Sequence, residues 1–491
     1  MMGGTLASRI TGLLRTSLLN QLFDSRVTDA FTVAVRVPNL FRELLAEGAL
    51  ANSFVPTYAK ADSEARNAIA RALFSLLLLI NGALTLVAVL AAPWIVDLLL
   101  GGPGSVDRDL AILLTRAVFP FLLAVSLSAW AMGILQARER FLAPAWAPVA
   151  LNVVAVAGML AYPGAAVPLA VAFALGGLTQ FLVQLPALAR LGALPRPAWP
   201  WHPQLVPVLV LMLPFAFTTS GRQALNVVAT RVLNELPAGS QTAWFNADLF
   251  LSLALGLFAV SPAVAWYARL SNLEREGRSD DFGSTLQAGL RFIAFWSALA
   301  GGLLLTLAEP AVRVVFDWLS LVGGGLDDAR LRLTVEAARP IGLAVLPLGL
   351  HQLLTRAWYV RGRVRTPIAV ALVFLTLQGV LFFNLGPVLG VAGLAWGAAA
   401  AAWVQLLLMG ALTARQERLN LASLAGFVLG VVVLTAAASA AAWVAASAVP
   451  AANWWGWLAR LTAGGITGLV VYLLVGRALR LDEARLPRRS A

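Results

Sequence analysis

Residues Ala68–Leu100 read AIARALFSLLLLINGALTLVAVLAAPWIVDLLL and carry only two charged side chains, Arg71 and Asp97. About 20 apolar residues are enough for a helix to cross the hydrocarbon core of a bilayer. The whole chain has this character, since 60% of its 491 residues are hydrophobic and 12% are charged. Soluble domains carry roughly twice that share of charge. The composition therefore excludes a water-soluble enzyme and predicts an all-α polytopic membrane protein.

Counting similar stretches along the chain predicts fourteen transmembrane helices. The first two are long enough to cross but contain charges, whereas the other twelve are strongly apolar. The predicted spans are Thr5–Phe23, Ala30–Tyr58, Ala68–Leu100, Leu110–Leu135, Trp146–Tyr162, Val167–Leu188, Leu205–Leu233, Gln241–Trp266, Leu286–Leu307, Ile341–Tyr359, Ile368–Phe383, Val391–Leu412, Leu424–Ala448 and Leu458–Val475.

The basic residues predict the orientation of these spans. The chain carries 36 basic and 24 acidic residues, a net charge of +12. With fourteen spans, 20 basic residues fall in one alternate set of loops and termini and 5 in the other. Loops rich in Arg and Lys stay in the cytoplasm. Both termini are therefore expected to be cytoplasmic, and the charge excess is a topology signal rather than a nucleic-acid signal.

Several kinds of chemistry are excluded by residue counts. The chain has no Cys, and its two His residues, His202 and His351, are far apart, so no thiol or His-pair metal site is expected. Its single Lys, Lys60, follows Tyr58 and Ala59, which does not fit a Walker-type phosphate loop. We expect a transporter rather than an enzyme, with no cofactor. Its energy would come from the membrane potential, a monovalent-ion gradient or the substrate gradient.

A weak internal repeat predicts two halves. LNQL at 19–22 is matched by LNEL at 233–236, and VQL at 183–185 is matched again at 404–406. The offsets, 214 and 221 residues, correspond to six spans, so both halves keep the same orientation. The predicted domains are an N-terminal lobe (1–193, spans one to six), a Pro-rich cytoplasmic linker (194–204), a C-terminal lobe (205–414, spans seven to twelve), and the last two spans with a basic tail (415–491).

The second span carries the most unusual charges. Asp29, Arg36, Glu43 and Glu47 are spaced by 7, 7 and 4 residues, which places them on one face of a continuous helix. Arg42 lies one step off that face, although Pro38 interrupts the helix and is able to rotate it.

Further candidate site residues lie in the first, seventh and eighth spans: Arg9, Arg15, Arg222 and Asp248. Charges in mid-bilayer are costly and usually face a cavity or a partner. The arginine fork suits a phosphate because it donates two parallel hydrogen bonds. We interpret the set as a substrate-binding site for an anionic head group. Two alternatives stay open, namely mutual pairing of the charges in a dry lobe interior, and a position of the second segment outside the membrane.

The order of these residues resembles the MurJ/MviN lipid II flippase family. The matching motifs are SRITG at 8–12 with Arg15, TDAF at 28–31, RVPNLFR at 36–42, AEGA at 46–49 and SFVP at 53–56. Weaker matches follow at GS (239–240) and NAD (246–248), and the similarity spans nearly the whole chain.

The resemblance implies a member of the multidrug/oligosaccharidyl-lipid/polysaccharide exporter superfamily in the bacterial inner membrane. It implies two six-helix lobes around a central cavity, with two extra C-terminal helices that form a groove for a lipid tail. The implied substrate is lipid II, an undecaprenyl-pyrophosphate glycolipid of peptidoglycan synthesis, moved across the membrane by alternating access. The family's pyrophosphate-binding arginines match Arg9, Arg15 and Arg42, and its conserved aspartate matches Asp29.

Two positions depart from the family pattern. Thr16 stands where an acidic residue is usual, and Leu249 stands where the family has an arginine after Ala-Asp. Arg222 is a candidate replacement for that missing cation. Three other functions remain possible at this point: a flippase for another prenyl-linked glycan, a cation-coupled drug exporter, and a non-transporting relative in cell-wall assembly. The arginine-rich site disfavours the drug exporter, which would need acidic residues. We expect the protein to act as a monomer with membrane lipids around it.

Overall fold

The computed structural model describes residues 2–44, 50–203, 205–417 and 420–484. These residues form helices and short connections, and no strand occurs among them. Within the described ranges, eleven helical segments are long and apolar enough to cross a membrane. The fold class predicted from the sequence is confirmed, and the chain is a multi-pass membrane protein.

Contacts along the chain define two compact units, Met1–Thr242 and Ala243–Ala491. The first unit contains the helices α1 (Met2–Leu22), α2 (Ser25–Ala34), α3 (Arg36–Leu44), α4 (Leu50–Lys60), α5 (Ser63–Leu90), α6 (Ala92–Leu100), α7 (Arg108–Val118), α8 (Pro120–Ala137), α9 (Leu142–Ala161), α10 (Ala166–Leu182), α11 (Leu185–Ala189) and α12 (Leu205–Asn234). The predicted lobe boundaries stay a prediction, but α12, the first helix of the predicted C-terminal lobe, lies in the first unit.

The second unit begins within α13 and contains the last seven crossings. Its helices are α13 (Ser240–Leu255), which continues through a π-helical turn (Gly256–Val260) into α14 (Ser261–Arg275), then α15 (Ser279–Phe316), α16 (Asp328–Ile341), α17 (Val345–Val360), α18 (Arg365–Leu389), α19 (Val391–Glu417), α20 (Leu421–Ser447) and α21 (Trp454–Ala478).

All fourteen predicted spans coincide with these helices, and three of them are not among the eleven apolar segments: α1, α2–α4 and α12. The second span is broken. α2 ends at Ala34 and α3 starts at Arg36, and Pro38 has no N–H to donate to the Ala34 carbonyl. Other crossings are likewise built from two helices that meet near a proline, such as Pro120 at the start of α8.

Short polar side chains start many of the helices. The Asp62 carboxylate accepts a hydrogen bond from the Ala65 N–H at 2.8 Å and caps α5. Asp24, Asp107 and Asp327 cap α2, α7 and α16 in the same way. Such caps pair backbone donors that a helix N-terminus otherwise leaves exposed, so they set where each crossing begins.

The last two helices pack closely on α15. A Cβ at Gly302 would lie 2.3 Å from Thr435 Cγ2 of α20, and a Cβ at Gly464 would lie 2.9 Å from the Ala442 carbonyl oxygen. The Tyr472 hydroxyl of α21 donates to the Phe295 carbonyl of α15 at 2.6 Å. Small residues allow such close helix approach within a membrane. The pair α20–α21 is therefore a tightly attached part of the second unit.

Candidate functional site

Arg15 of α1 is held against two other helices of the first unit. Its Nη1 donates a hydrogen bond to Asn152 Oδ1 of α9 at 3.0 Å. Its guanidinium also lies 5.4 Å from the centre of the Phe173 ring of α10, a distance at which a cation is attracted to an aromatic face. The side chain is partly buried. Arg15 is thus fixed in position, with donor groups beyond the one used by Asn152.

Asn152 is itself oriented by α1. Its Nδ2 donates to Thr11 Oγ1 at 3.0 Å and to the Ser8 carbonyl at 3.3 Å, and 5% of the residue is exposed. These two bonds turn the amide so that its oxygen faces Arg15. Asn152 was not predicted as a site residue, because a single Asn in an apolar helix is usually an interhelical hydrogen-bonding group. Its polarity at mid-span was the only signal available.

The other predicted arginines occupy different environments. Arg9 is exposed on α1, whereas Arg36 and Arg42 of α3 are partly buried. Arg42 interacts electrostatically with Arg15, so the fold brings these two cations into one neighbourhood. Two nearby guanidinium groups repel each other in isolation and are well suited to share a phosphate or pyrophosphate.

The predicted charged face is divided between two helices that meet at Val35. Asp29 belongs to α2 and Arg36 to α3. Glu43 lies in α3, and Glu47 lies outside the described residues. That these charged residues share one face stays a prediction.

Asp29 binds the start of α13. Its Oδ2 accepts a hydrogen bond from the Gly239 N–H at 2.6 Å, and its Oδ1 accepts from the Thr242 N–H at 3.0 Å and the Thr242 hydroxyl at 2.6 Å. The carboxylate is buried, with 1% of the residue exposed. A negative charge at a helix N-terminus is stabilised by the unpaired N–H groups and the helix dipole. Asp29 therefore joins α2 to the turn before α13.

Gly239 is needed for this contact. Its φ is +94°, a left-handed conformation that other residues adopt only with strain. That conformation directs its N–H at the carboxylate. From the sequence, Gly239 and Ser240 were motif positions with no predicted partner. The assignment of Asp29 as a substrate ligand stays a prediction.

Two further candidates lie on exposed positions. Arg222 is exposed on α12 in the first unit, and Asp248 is exposed on α13 in the second. Gln223, next to Arg222, accepts a hydrogen bond from Asn226 Nδ2 at 3.2 Å within α12. Leu249 is partly buried. The roles of Arg222 and Asp248 in binding stay predictions.

Ionic contacts also occur near the start of α2, outside the predicted spans. Arg26 donates to Asp107 Oδ2 at 2.6 Å. A hydrogen bond from the Leu110 N–H and the pairing with Arg26 keep the pKa of Asp107 below its ordinary value. Asp107 therefore stays ionised at neutral pH, as a helix cap and an ion-pair partner.

The chain is similar to known proteins over most of its length. The family model described as "Lipid II flippase MurJ" matches residues 19–462. The lipid II flippase MurJ of Burkholderia cenocepacia is 31% identical over 409 residues, which cover 80% of this chain and 78% of that protein. The probable lipid II flippase MurJ of Bdellovibrio bacteriovorus is 34% identical over 433 residues, covering 84% of this chain and 80% of that protein.

Solved structures show the same fold at lower identity. A lipid II flippase MurJ in an inward closed conformation matches with a TM-score of 0.81 and 21% identity, covering 98% of this chain and 100% of that one. An inward-facing multidrug resistance MATE family transporter of the MOP superfamily matches with a TM-score of 0.68 and 14% identity, covering 84% and 96%. With the family model matched over 19–462 and relatives above 30% identity, the chain belongs to the lipid II flippase MurJ family.

Proposed function

We propose that this protein moves lipid II from the inner to the outer leaflet of the bacterial cytoplasmic membrane by alternating access. The observation that carries the proposal is the placement of Arg15 and Arg42. Arg15 is positioned by Asn152 and Phe173 and interacts with Arg42. These residues lie in spans predicted from the sequence, and the chain belongs to a family of lipid II flippases.

The physical task of such a protein is to carry a pyrophosphate through a low-dielectric layer. A pyrophosphate in hydrocarbon is strongly disfavoured unless positive groups replace its water. Arg15 and Arg42, together with Arg9 and Arg36, would supply those groups, while the prenyl tail stays in the surrounding lipid. Glu43 and Glu47 would exchange partners with the arginines as the substrate enters and leaves.

The energy for the cycle is proposed to come from the membrane potential or a monovalent-ion gradient. Moving one elementary charge through 100 mV changes the free energy by about 2.3 kcal/mol. A site whose net charge changes when the lipid leaves would therefore respond to the potential. We propose that both termini are cytoplasmic, as the 20 to 5 division of loop charges indicates, and that the protein acts as a monomer.

The decisive experiment replaces the essential lipid II flippase of a bacterium by this chain under depletion conditions. Labelled lipid II reaching the outer leaflet is then measured directly. Growth together with restored labelling supports the proposal. Growth failure with a properly inserted protein, or labelling of another prenyl-linked glycan alone, would exclude lipid II as the substrate.

Arginine variants test the proposed site within the same assay. Arg15→Ala and Arg42→Ala should abolish labelling, and Arg15→Lys should restore it only in part because an ammonium lacks the planar fork. Arg275→Ala, at the exposed end of α14, is the matched control and should translocate normally. Arg222→Ala tests the replacement of the missing arginine at Leu249, and normal transport by this variant would remove Arg222 from the site.

A further inference from the structure

The last turn of α12 is fastened to the loop between α6 and α7 by one asparagine. The Asn234 carbonyl oxygen accepts from the Ser105 N–H at 2.7 Å, and its Oδ1 accepts from the Val106 N–H at 3.1 Å. Its Nδ2 donates to the carbonyls of Leu100 at 3.3 Å and Gly102 at 3.0 Å. Asn234 is buried, with 1% of the residue exposed.

Arg231, one turn earlier, adds a second attachment. Its Nε and Nη2 donate to the Leu98 carbonyl at 3.0 and 2.9 Å. Glycines stand in the loop where both side chains approach it. A Cβ at Gly104 would lie 2.2 Å from the Asn234 carbonyl oxygen, and a Cβ at Gly101, whose φ is +75°, would lie 3.1 Å from Arg231 Cγ and Cδ. Larger residues at these positions would push α12 away.

This contact is polar, unlike the packed apolar core of a lobe. Its bonds run mainly to backbone groups of a loop whose residues Gly101, Gly102 and Gly104 are exposed. When such polar contacts separate at a wet surface, water replaces them, so the net free-energy change is small compared with opening a packed apolar interface. If the contact opens, its hydrogen-bonding groups meet water instead of staying buried and unpaired.

The contact joins the two predicted lobes at the side that the charge pattern assigns to the outside. The loop belongs to the predicted N-terminal lobe, and α12 is the first helix of the predicted C-terminal lobe. The loop also lies in the set with few basic residues, which the charge pattern assigns to the outer side. In alternating access the outer ends of two lobes must separate each time the substrate is released outside.

We propose that Arg231 and Asn234, with the loop Leu98–Val106, form an outer latch that is closed in this structure and opens once in each transport cycle. The proposal rests on the alternating-access function proposed above. It assigns Asn234 and Arg231 as positioning residues that set the balance between outward-closed and outward-open states. They take no part in binding the lipid.

A reversible cross-link tests whether the latch must open. The chain has no Cys, so Ser105→Cys/Asn234→Cys introduces the only possible disulfide. The 2.7 Å backbone hydrogen bond limits the Cα–Cα distance to about 6.5 Å, which is within disulfide range. Oxidation should stop lipid II labelling at the outer leaflet, and reduction should restore it to the level of the unoxidised double variant. Either single variant should be insensitive to oxidant. Undiminished transport by fully cross-linked protein would show that the contact is permanent and would overturn the proposal.

A second measurement does not depend on the substrate. Val106 is 5% exposed beneath Asn234, so Val106→Cys should react slowly with a membrane-impermeant maleimide. Adding Asn234→Ala should speed the reaction by at least about tenfold, because losing more than one hydrogen bond shifts the equilibrium between the closed and open latch by that order. Ala438→Cys, buried on α20, should stay protected in both backgrounds and so reports general unfolding. If the maleimide reacts with Val106→Cys at the same rate with and without Asn234→Ala, the latch is refuted, whether or not lipid II is the substrate. If the maleimide reaction is faster with Asn234→Ala but the chain fails to complement the depleted strain, only lipid II as the substrate is refuted.

Discussion

Replacing Asp29 by asparagine should weaken the junction between α2 and the start of α13 although the side chain keeps its size. The carboxylate accepts hydrogen bonds from the Gly239 N–H and from both donors of Thr242. An asparagine Oδ1 can still accept from Thr242, but its NH₂ group would face the Gly239 N–H, donor against donor. The contact at 2.6 Å to Gly239 is therefore lost, and the negative charge at the helix N-terminus is lost with it.

The size of the effect follows from these contacts. A hydrogen bond to a charged group contributes about 1.5–3 kcal/mol, and a charge at a helix N-terminus adds about 0.3–1 kcal/mol. Asp29→Asn should thus lower the free energy of unfolding by about 2–4 kcal/mol, a change of at least about 30-fold in the equilibrium. Asp29→Ala leaves all the donors unpaired in a buried site and should cost about 3–5 kcal/mol. Thr242→Val removes only the hydroxyl and should cost about 1 kcal/mol.

The assay is reversible unfolding of the purified protein in mixed micelles, followed by the fluorescence of its 16 tryptophans. The order of destabilisation should be Asp29→Ala, then Asp29→Asn, then Thr242→Val. Asp24→Asn is a matched control, because Asp24 caps α2 by one backbone hydrogen bond that asparagine can also accept. If Asp29→Asn unfolds at the same denaturant fraction as the wild type, the junction does not depend on the charge and the reasoning is refuted.

Two other substitutions test the helix contacts. Asn152→Leu removes the acceptor that positions Arg15 and should reduce lipid II labelling at the outer leaflet by at least about tenfold at equal expression; wild-type labelling would show that Arg15 needs no support from α9. Gly302→Val forces a side chain against Thr435 and should destabilise the protein by about 1–3 kcal/mol in the unfolding assay. Gly410→Ala, where a Cβ meets nothing within 4 Å, is its control, and equal stability of the two variants would contradict the packing of α20 on α15.

The positions of the helices were readable from local sequence. Spans such as Leu110–Leu135 and Val391–Leu412 are apolar for long enough that only a membrane helix satisfies their backbone groups. The first and second spans were harder, since their charges made them poor membrane helices by composition. Their length located them, and the structure divides the second one into α2, α3 and α4.

Contacts between residues far apart in the chain could not be predicted from local sequence. Arg15 and Asn152 are 137 residues apart, and Asp29 and Thr242 are 213 residues apart. Neither pair follows a local period or a motif spacing. Asn234 was noted only as part of a repeat, because nothing in its neighbourhood reveals the loop that it fastens.

The sequence by itself determined that this protein is a multi-pass helical membrane protein with arginines in its first two spans. It could do so because apolar run length and residue charge act on each segment separately. The tertiary structure alone decided which polar residues meet. It placed Arg15 against Asn152 and near Arg42, and it paired Asp29 with the start of α13. It also formed the contact between Asn234 and the loop before α7. The physical reason is that hydrogen bonds and Coulomb interactions act over a few ångströms in space, and only the packing of the helices sets which distant residues come that close.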